Sequence, residues 1–147
     1  MRVSVISCVL FLSLIGRAQE VQWASKVEAF SSEFGQKQYA AGQVLGTPGC
    51  MPLGGDNPVC WKSGTLSANE WIKVVFEKPM KIRQVIIAEA FHPGAIVKVE
   101  LFDRNGRSFI VYKQKAKQLK ENVRMLYIDF PLTDYEVIAV KIGLDLL

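Results

Sequence analysis

Residues 71–112 read WIKVVFEKPMKIRQVIIAEAFHPGAIVKVELFDRNGRSFIVY. Short apolar runs recur through this stretch and are broken at Pro79, Pro93-Gly94 and Asn105-Gly106. Ile72, Val74 and Phe76 alternate with Lys73 and Val75, and a period of two places successive side chains on opposite faces of a strand. Ile82 to Glu89 is nearly all apolar around Val85-Ile86-Ile87-Ala88, which predicts a strand covered on both sides. Val97 to Leu101 alternates cleanly, so one face is buried and the other wet. Asp103-Arg104-Asn105-Gly106 is a tight turn, because Asn and Gly tolerate the positive φ such turns need. Ser108 to Tyr112 returns as its hairpin partner. The rhythm is that of antiparallel β-structure with long loops, an architecture that binds more often than it catalyses.

The same rhythm extends outward. Ala24 to Ser31 predicts a first strand at a sheet edge. QYAAGQVLG (38–46) predicts a single helical turn ended by Gly46. Residues 47–66 hold Pro48, Gly49, Pro52, Gly54, Gly55, Pro58 and Gly64. Such a stretch is neither a helix nor a central strand, so it is a long surface loop. Loops of that length are uncommon in compact domains unless they are functional. Downstream, Lys113 to Glu121 is a basic connection, and Leu126 to Phe130 alternates again. Glu136 to Leu144 closes the pattern with Ile138, Val140 and Ile142 on one face. About seven short strands and almost no helix predict an all-β fold, a two-sheet antiparallel β-sandwich in which each half-buried strand meets an opposing apolar face. No internal repeat or low-complexity segment interrupts it.

The chain has 147 residues, half of them apolar, which suffices for one domain with a true core. Part of the apolar content lies at the N-terminus. Met1-Arg2, the run Val3 to Ile15 and the small residues of Gly16-Arg17-Ala18 form a signal-peptide pattern over residues 1–18, leaving 19–147 as the domain. The run is too short for a comfortable membrane span. Val5-Ile6-Ser7-Cys8 loosely resembles a lipoprotein cleavage box, but most of the apolar run follows Cys8 instead of preceding it. Loss of Arg2 and Arg17 lowers the net charge from +4 to +2, so charge gives no argument for nucleic acid. Export places Cys50 and Cys60, within GCMPLGGDNPVC, in an oxidising compartment where paired thiols usually oxidise. A disulfide there stabilises by roughly 2–3 kcal/mol on the chain-entropy model. Free thiols and a metal are the alternatives, and a metal needs more ligands than two cysteines.

Taken in order, ASKVEAFSS, a turn ending QVLG, a Gly/Pro loop ending in Trp61, then EWIKVVFEKPMKIRQVIIAE and PGAIVKVELFDRNG, the chain resembles the discoidin-like, galactose-binding-like jelly-roll domains, also called coagulation-factor type C domains. The similarity is to the variant found in exported bacterial proteins, often beside outer-membrane-protein-A-like domains, and spans roughly residues 21–144. It implies a non-catalytic binding module of the bacterial cell envelope. Its partner would be a glycan or an envelope protein held by loops at one end of the sandwich. It also implies a location in the periplasm, at the outer membrane or outside the cell, with only indirect membrane association. The runner-up is a structural domain of an outer-membrane-associated complex with no small-molecule ligand. Domains of this type usually carry a further strand after the one ending near Leu144; with the sequence stopping at Leu147, the expectation is either a truncated chain or an edge covered by a partner or a shortened topology. Many relatives bind calcium through an acidic cluster. Only Asp56-Asn57 lies in the corresponding region, so no cofactor or metal is expected unless backbone carbonyls complete a calcium shell of six or more oxygens.

The candidate ligand-binding residues are Asp56, Asn57 and Trp61 from the long loop, with Glu89 and His92 nearby. Polar groups would bond sugar hydroxyls while the indole stacks on a sugar face. Each has a plainer alternative. Trp61 could instead plug the end of the sandwich, and His92, the sole histidine, could be a solvated loop residue. Trp71 reads as core or sheet edge, and Trp23 has no specific assignment. Glu28 and Glu89 could be paired for glycoside hydrolysis, but nothing in the sequence sets their distance. A lone histidine without a nucleophile motif does not make a triad, so no enzyme is expected. Lys113, Lys115, Lys117 and Lys120, with Lys81 and Arg83 elsewhere, could contact anionic polysaccharide or lipid headgroups. A solvated basic loop without interleaved aromatics is the simpler account, and nucleic-acid binders have such aromatics.

Overall fold

The computed structural model describes residues 20–147; the signal-peptide pattern and Cys8 lie outside the described residues. Seven strands are described: β1 Lys26–Phe30, β2 Glu70–Met80, β3 Gln84–Glu89, β4 Ile96–Asp103, β5 Ser108–Lys113, β6 Arg124–Asp129 and β7 Val137–Leu144. One 3-10 turn, Ala41–Val44, stands where the helical turn was expected, and Gly46 follows it at φ 72°. The strands form a five-stranded antiparallel sheet in the order β1-β2-β7-β4-β5 and a two-stranded sheet β3-β6. This is the expected all-β antiparallel sandwich.

The alternation in each strand explains which face is buried. Ile72 and Val74 of β2, Val140 and Ile142 of β7, and Val99 and Leu101 of β4 stand side by side across the register. They meet Val85 and Ile128 of the small sheet to form the core. Val99 and Leu101 have no solvent exposure. The opposite face of the large sheet carries long amphipathic side chains that cover its aromatics. The ammonium of Lys73 lies 4.0 Å from the Phe102 ring centre, and that of Lys141 lies 4.0 Å from the Trp71 ring centre. Such contacts let charged residues shield apolar surface while keeping the charge wet. The Asp103–Gly106 turn forms as its sequence predicts, with Gly106 at φ 76° and its N–H donating to the Asp103 carbonyl at 3.1 Å.

One expectation is corrected. The doubly apolar β3 is covered on one side only by the sandwich core. Val85 pairs with Ile128 and Ile87 with Leu126 on the inner face. Ile86 and Ala88 pair with Tyr127 and Met125 on the outer face, and Tyr127 is 57% exposed. Cross-strand neighbours, and not a second layer, half-cover these residues. Strand β7 lies between β2 and β4, so the edges without a strand partner among the described residues belong to β1, β5, β3 and β6. After β7, the Asp145 N–H donates to the Ala95 carbonyl and the Leu146 N–H to the Ser67 carbonyl.

Candidate functional site

Three connections converge at one end of the sandwich, and glycines allow them to meet. In the long loop, Cys50 and Cys60 form the expected disulfide, with Cα atoms 6.3 Å apart. The Gly55 N–H donates to the Ala90 carbonyl at 2.7 Å, which ties this loop to the β3–β4 connection. Gly54 has φ 63°, and a Cβ there would lie 2.5 Å from the Ala90 oxygen and 1.9 Å from a methyl of Val123. Gly94 has φ 109°, and a Cβ there would lie 1.9 Å from the Lys117 oxygen. The Lys117 N–H in turn donates to the Gly94 carbonyl at 3.0 Å, so the basic connection is held against the β3–β4 loop. Both glycines are therefore fixed by close approach as well as by backbone conformation.

Glu89 supports this convergence from beneath. It faces Arg124 across the β3–β6 register. One carboxylate oxygen accepts from the Arg124 Nε at 2.5 Å, and the other accepts from the Gly94 N–H at 2.8 Å. The Glu89 side chain is buried and that of Arg124 mostly so, a setting in which a charge-assisted pair fixes geometry. Glu89 is thus a positioning residue for the 90–94 loop.

Above it lies an open cleft of about 680 Å³. Leu53 and Gly55 come from the long loop, Phe91 and His92 from the β3–β4 connection, and residues 118–122 (Gln118, Leu119, Lys120, Glu121 and Asn122) from the basic connection. Leu53 is 91% exposed and Phe91 49% exposed. The Phe91 and His92 rings meet edge-on with centres 4.0 Å apart. His92 sits at φ 47°, a left-handed conformation that is uncommon for residues other than glycine and that clusters at functional sites. An apolar platform beside amides, one ammonium, one imidazole and one carboxylate suits a ligand with both an apolar face and hydroxyls. Glu121 is the sole carboxylate among the lining residues, so the paired carboxylates of glycoside hydrolysis are not assembled in the cleft.

The sequence-derived residues divide between this cleft and its surroundings. His92 lines it and Glu89 braces it. Asp56, Asn57 and Trp61 do not line it. Both Asp56 carboxylate oxygens accept from the Lys62 ammonium at 3.1 Å. The Asn57 side-chain oxygen accepts from the Val59 N–H at 3.1 Å, closing a local turn. Trp61 packs against the core and its indole N–H donates to the Ser32 carbonyl at 3.1 Å, which is the plugging role. Glu28 pairs with Lys73 at 2.8 Å on the large sheet, so it is not coupled to Glu89. Of the basic connection, Lys120 alone of the four lysines lines the cleft. Among the described residues no group of three or more His, Cys, Asp or Glu is placed to hold a metal, and no helix is long and apolar enough to cross a membrane. Leu53, Phe91, Gln118 and Asn122 were not among the candidates. The signal for Phe91 was available, because it adjoins His92 in the same loop.

Beside the plug lies a second constellation. Glu70 opens β2 and is 4% exposed. Its carboxylate accepts from the hydroxyls of Ser31 and Ser32 at 2.5 Å, of Ser67 at 2.8 Å and of Thr65. These bonds, that of Ser31 foremost and then those of Ser32 and Thr65, hold its pKa down at about 2 against the burial that would raise it. Glu70 thereby fastens the end of β1 to the end of the long loop.

No family model matches the chain, and no curated protein sequence matches it. Among solved structures it is similar to the family 32 carbohydrate-binding module from Streptococcus pneumoniae EndoD, with a TM-score of 0.54 at 12% identity, over 81% of this chain and 80% of that one. At that identity the likeness speaks for the fold alone: the chain shares the two-sheet antiparallel β-sandwich of that module.

Proposed function

We propose that the protein is a non-catalytic, exported glycan-binding module whose ligand sits in the cleft between the long loop, the β3–β4 connection and residues 118–122. The observation that carries this reading is the exposed Phe91–His92 pair, held at an unfavourable backbone angle over the Glu89–Arg124 ion pair. Phe91 and Leu53 offer an apolar surface for the C–H face of a sugar ring. Gln118, Asn122, Glu121, Lys120 and His92 offer donors and acceptors for its hydroxyls. The likeness to a carbohydrate-binding module and the disulfide support the same assignment and an extracytoplasmic setting. Binding of the protein to a glycan array, with calcium and with chelator, tests it. A reproducible hit lost in Phe91→Ala is expected; a hit untouched by that change would place the ligand elsewhere, and silence from a folded sample would remove the glycan.

The alternative role, an assembly domain of an envelope complex, is favoured by a different observation. The outer face of the small sheet exposes Tyr127 beside Met125 and Ile86, and both of its strands keep an edge without a strand partner among the described residues. Such edges accept strands from other chains. A mass in solution that stays monomeric over a wide concentration range would count against self-assembly.

A further inference from the structure

Phe34 is 60% exposed, yet its setting is rigid. Its N–H donates to the Lys62 carbonyl at 2.8 Å. Its ring meets Tyr39 edge-on with centres 5.5 Å apart. The Lys62 ammonium lies 5.0 Å from the Phe34 centre and 5.2 Å from the Tyr39 centre, and is itself held by both oxygens of Asp56. Between the two aromatics the chain turns sharply: a Cβ on Gly35 would lie 2.4 Å from the Gln38 oxygen. Tyr39 closes the turn at φ 58°, its N–H donating to the Pro58 carbonyl at 2.8 Å and its carbonyl accepting from the Lys62 N–H at 3.1 Å. A bulky residue stays in the left-handed region only where its surroundings over-determine it. The result is a large apolar ring presented to solvent by a stiff turn, over a shallow pocket of about 400 Å³ lined by Phe34, Gly35, Gln36, Lys37, Gln38 and Tyr39. None of these residues lines the Phe91 cleft.

We propose that the 34–39 turn is a second, independent subsite for a polysaccharide chain, with the Phe34 ring receiving the C–H face of a pyranose. The proposal rests on the glycan-binding function argued above. The surroundings of Phe34 select a sugar over an apolar protein surface. A hydrophobic partner would find the Phe34 and Tyr39 rings bordered by Gln36, Lys37, Gln38 and the Lys62 ammonium, whereas a pyranose needs one apolar platform and several polar groups at its rim. Rigidity lowers the ordering cost of binding, so a single stacking contact can contribute usefully. Two subsites on one module would bind a polymer more tightly than a short sugar, by raising the effective concentration of the second contact.

Native affinity electrophoresis through gels containing a galactan, a mucin or polygalacturonate tests the proposal, beside titration with free galactose. The protein is compared with Phe34→Ala, Phe34→Trp and Phe91→Ala, each first shown to unfold at the wild-type temperature. Phe34→Ala is expected to weaken retention by the bound polymer roughly tenfold and to leave the affinity for the short sugar unchanged; Phe34→Trp is expected to restore or exceed wild-type retention. Phe91→Ala is expected to lose the short sugar and to weaken retention by the polymer more than Phe34→Ala does. Wild-type retention of Phe34→Ala on a polymer that releases Phe91→Ala would overturn the second subsite and leave the cleft standing. A wild-type protein that no polymer retards would overturn both.

Discussion

The long loop and its neighbours contain two regions with opposite chemistry. Around Trp61 and Glu70 the polar groups are answered internally: the indole N–H by Ser32, and the Glu70 carboxylate by four hydroxyls. Around Leu53, Phe91 and His92 the apolar surface is exposed, and one residue sits at a strained backbone angle. The first region resembles a clasp and the second a binding face. A residue type therefore does not reveal its role. Trp61 is the more obvious sugar-stacking residue by type, yet its position spends its ring on the core, while Phe91 keeps half of its surface in water.

Substitution at Trp61 should separate the two regions most widely. Trp61→Ala removes a ring packed on the core and orphans the Ser32 carbonyl, so a loss of about 3 kcal/mol is expected. Denaturant unfolding measures it. Any fall in sugar binding by this variant should disappear when binding is compared at equal folded fraction. A stable Trp61→Ala protein that no longer binds would return Trp61 to the ligand site.

Glu70 provides a smaller effect with a distinctive pH signature. Its folded pKa is about 2 against an ordinary 4.5. A depressed carboxylate pKa contributes stability that is present above the unfolded value and lost as pH falls toward the folded one. The clasp should therefore be intact at pH 6 and weaken between about pH 5 and 2. Glu70→Gln replaces one acceptor oxygen by a donor facing hydroxyls, at a cost of about 2 kcal/mol near neutrality. Urea midpoints of both proteins from pH 7 to pH 3 should converge toward the acid end. A gap that is constant with pH would mean that the carboxylate charge is not what fastens β1 to the loop.

The sandwich was legible because period-two alternation is a local signal. All seven described strands lie where the apolar rhythm put them, and Cys50 and Cys60 pair as expected. The outer face of β3 was not, since its half-cover comes from Met125 and Tyr127 some forty positions away in the chain. The cleft was legible only at His92 and, indirectly, at Glu89. Its other walls meet through Gly54 against Ala90 and Gly94 against Lys117, contacts that no local pattern announces. Asp56 and Asn57 look free in sequence, and it is Lys62 and the Val59 N–H that occupy them.

His92 should give the smallest change in stability and the most telling one. Its φ of 47° lies in the left-handed region, which costs a non-glycine residue roughly 1–2 kcal/mol. Glycine removes that strain but gives back part of the gain as extra freedom in the unfolded chain. His92→Gly should therefore be unchanged or up to about 1 kcal/mol more stable. If the imidazole contacts ligand, the same variant should bind more weakly, which is the trade expected where strain is maintained for function. His92→Asn supplies the control, since asparagine tolerates the left-handed angle and keeps a polar tip. Weakened binding in His92→Gly, with partial recovery in His92→Asn, would show that the side chain's chemistry matters beyond the loop's shape. Equal binding by all three proteins would mean that the strained angle serves only to bring Phe91 into place, and would leave the cleft with one platform and no imidazole in its recognition.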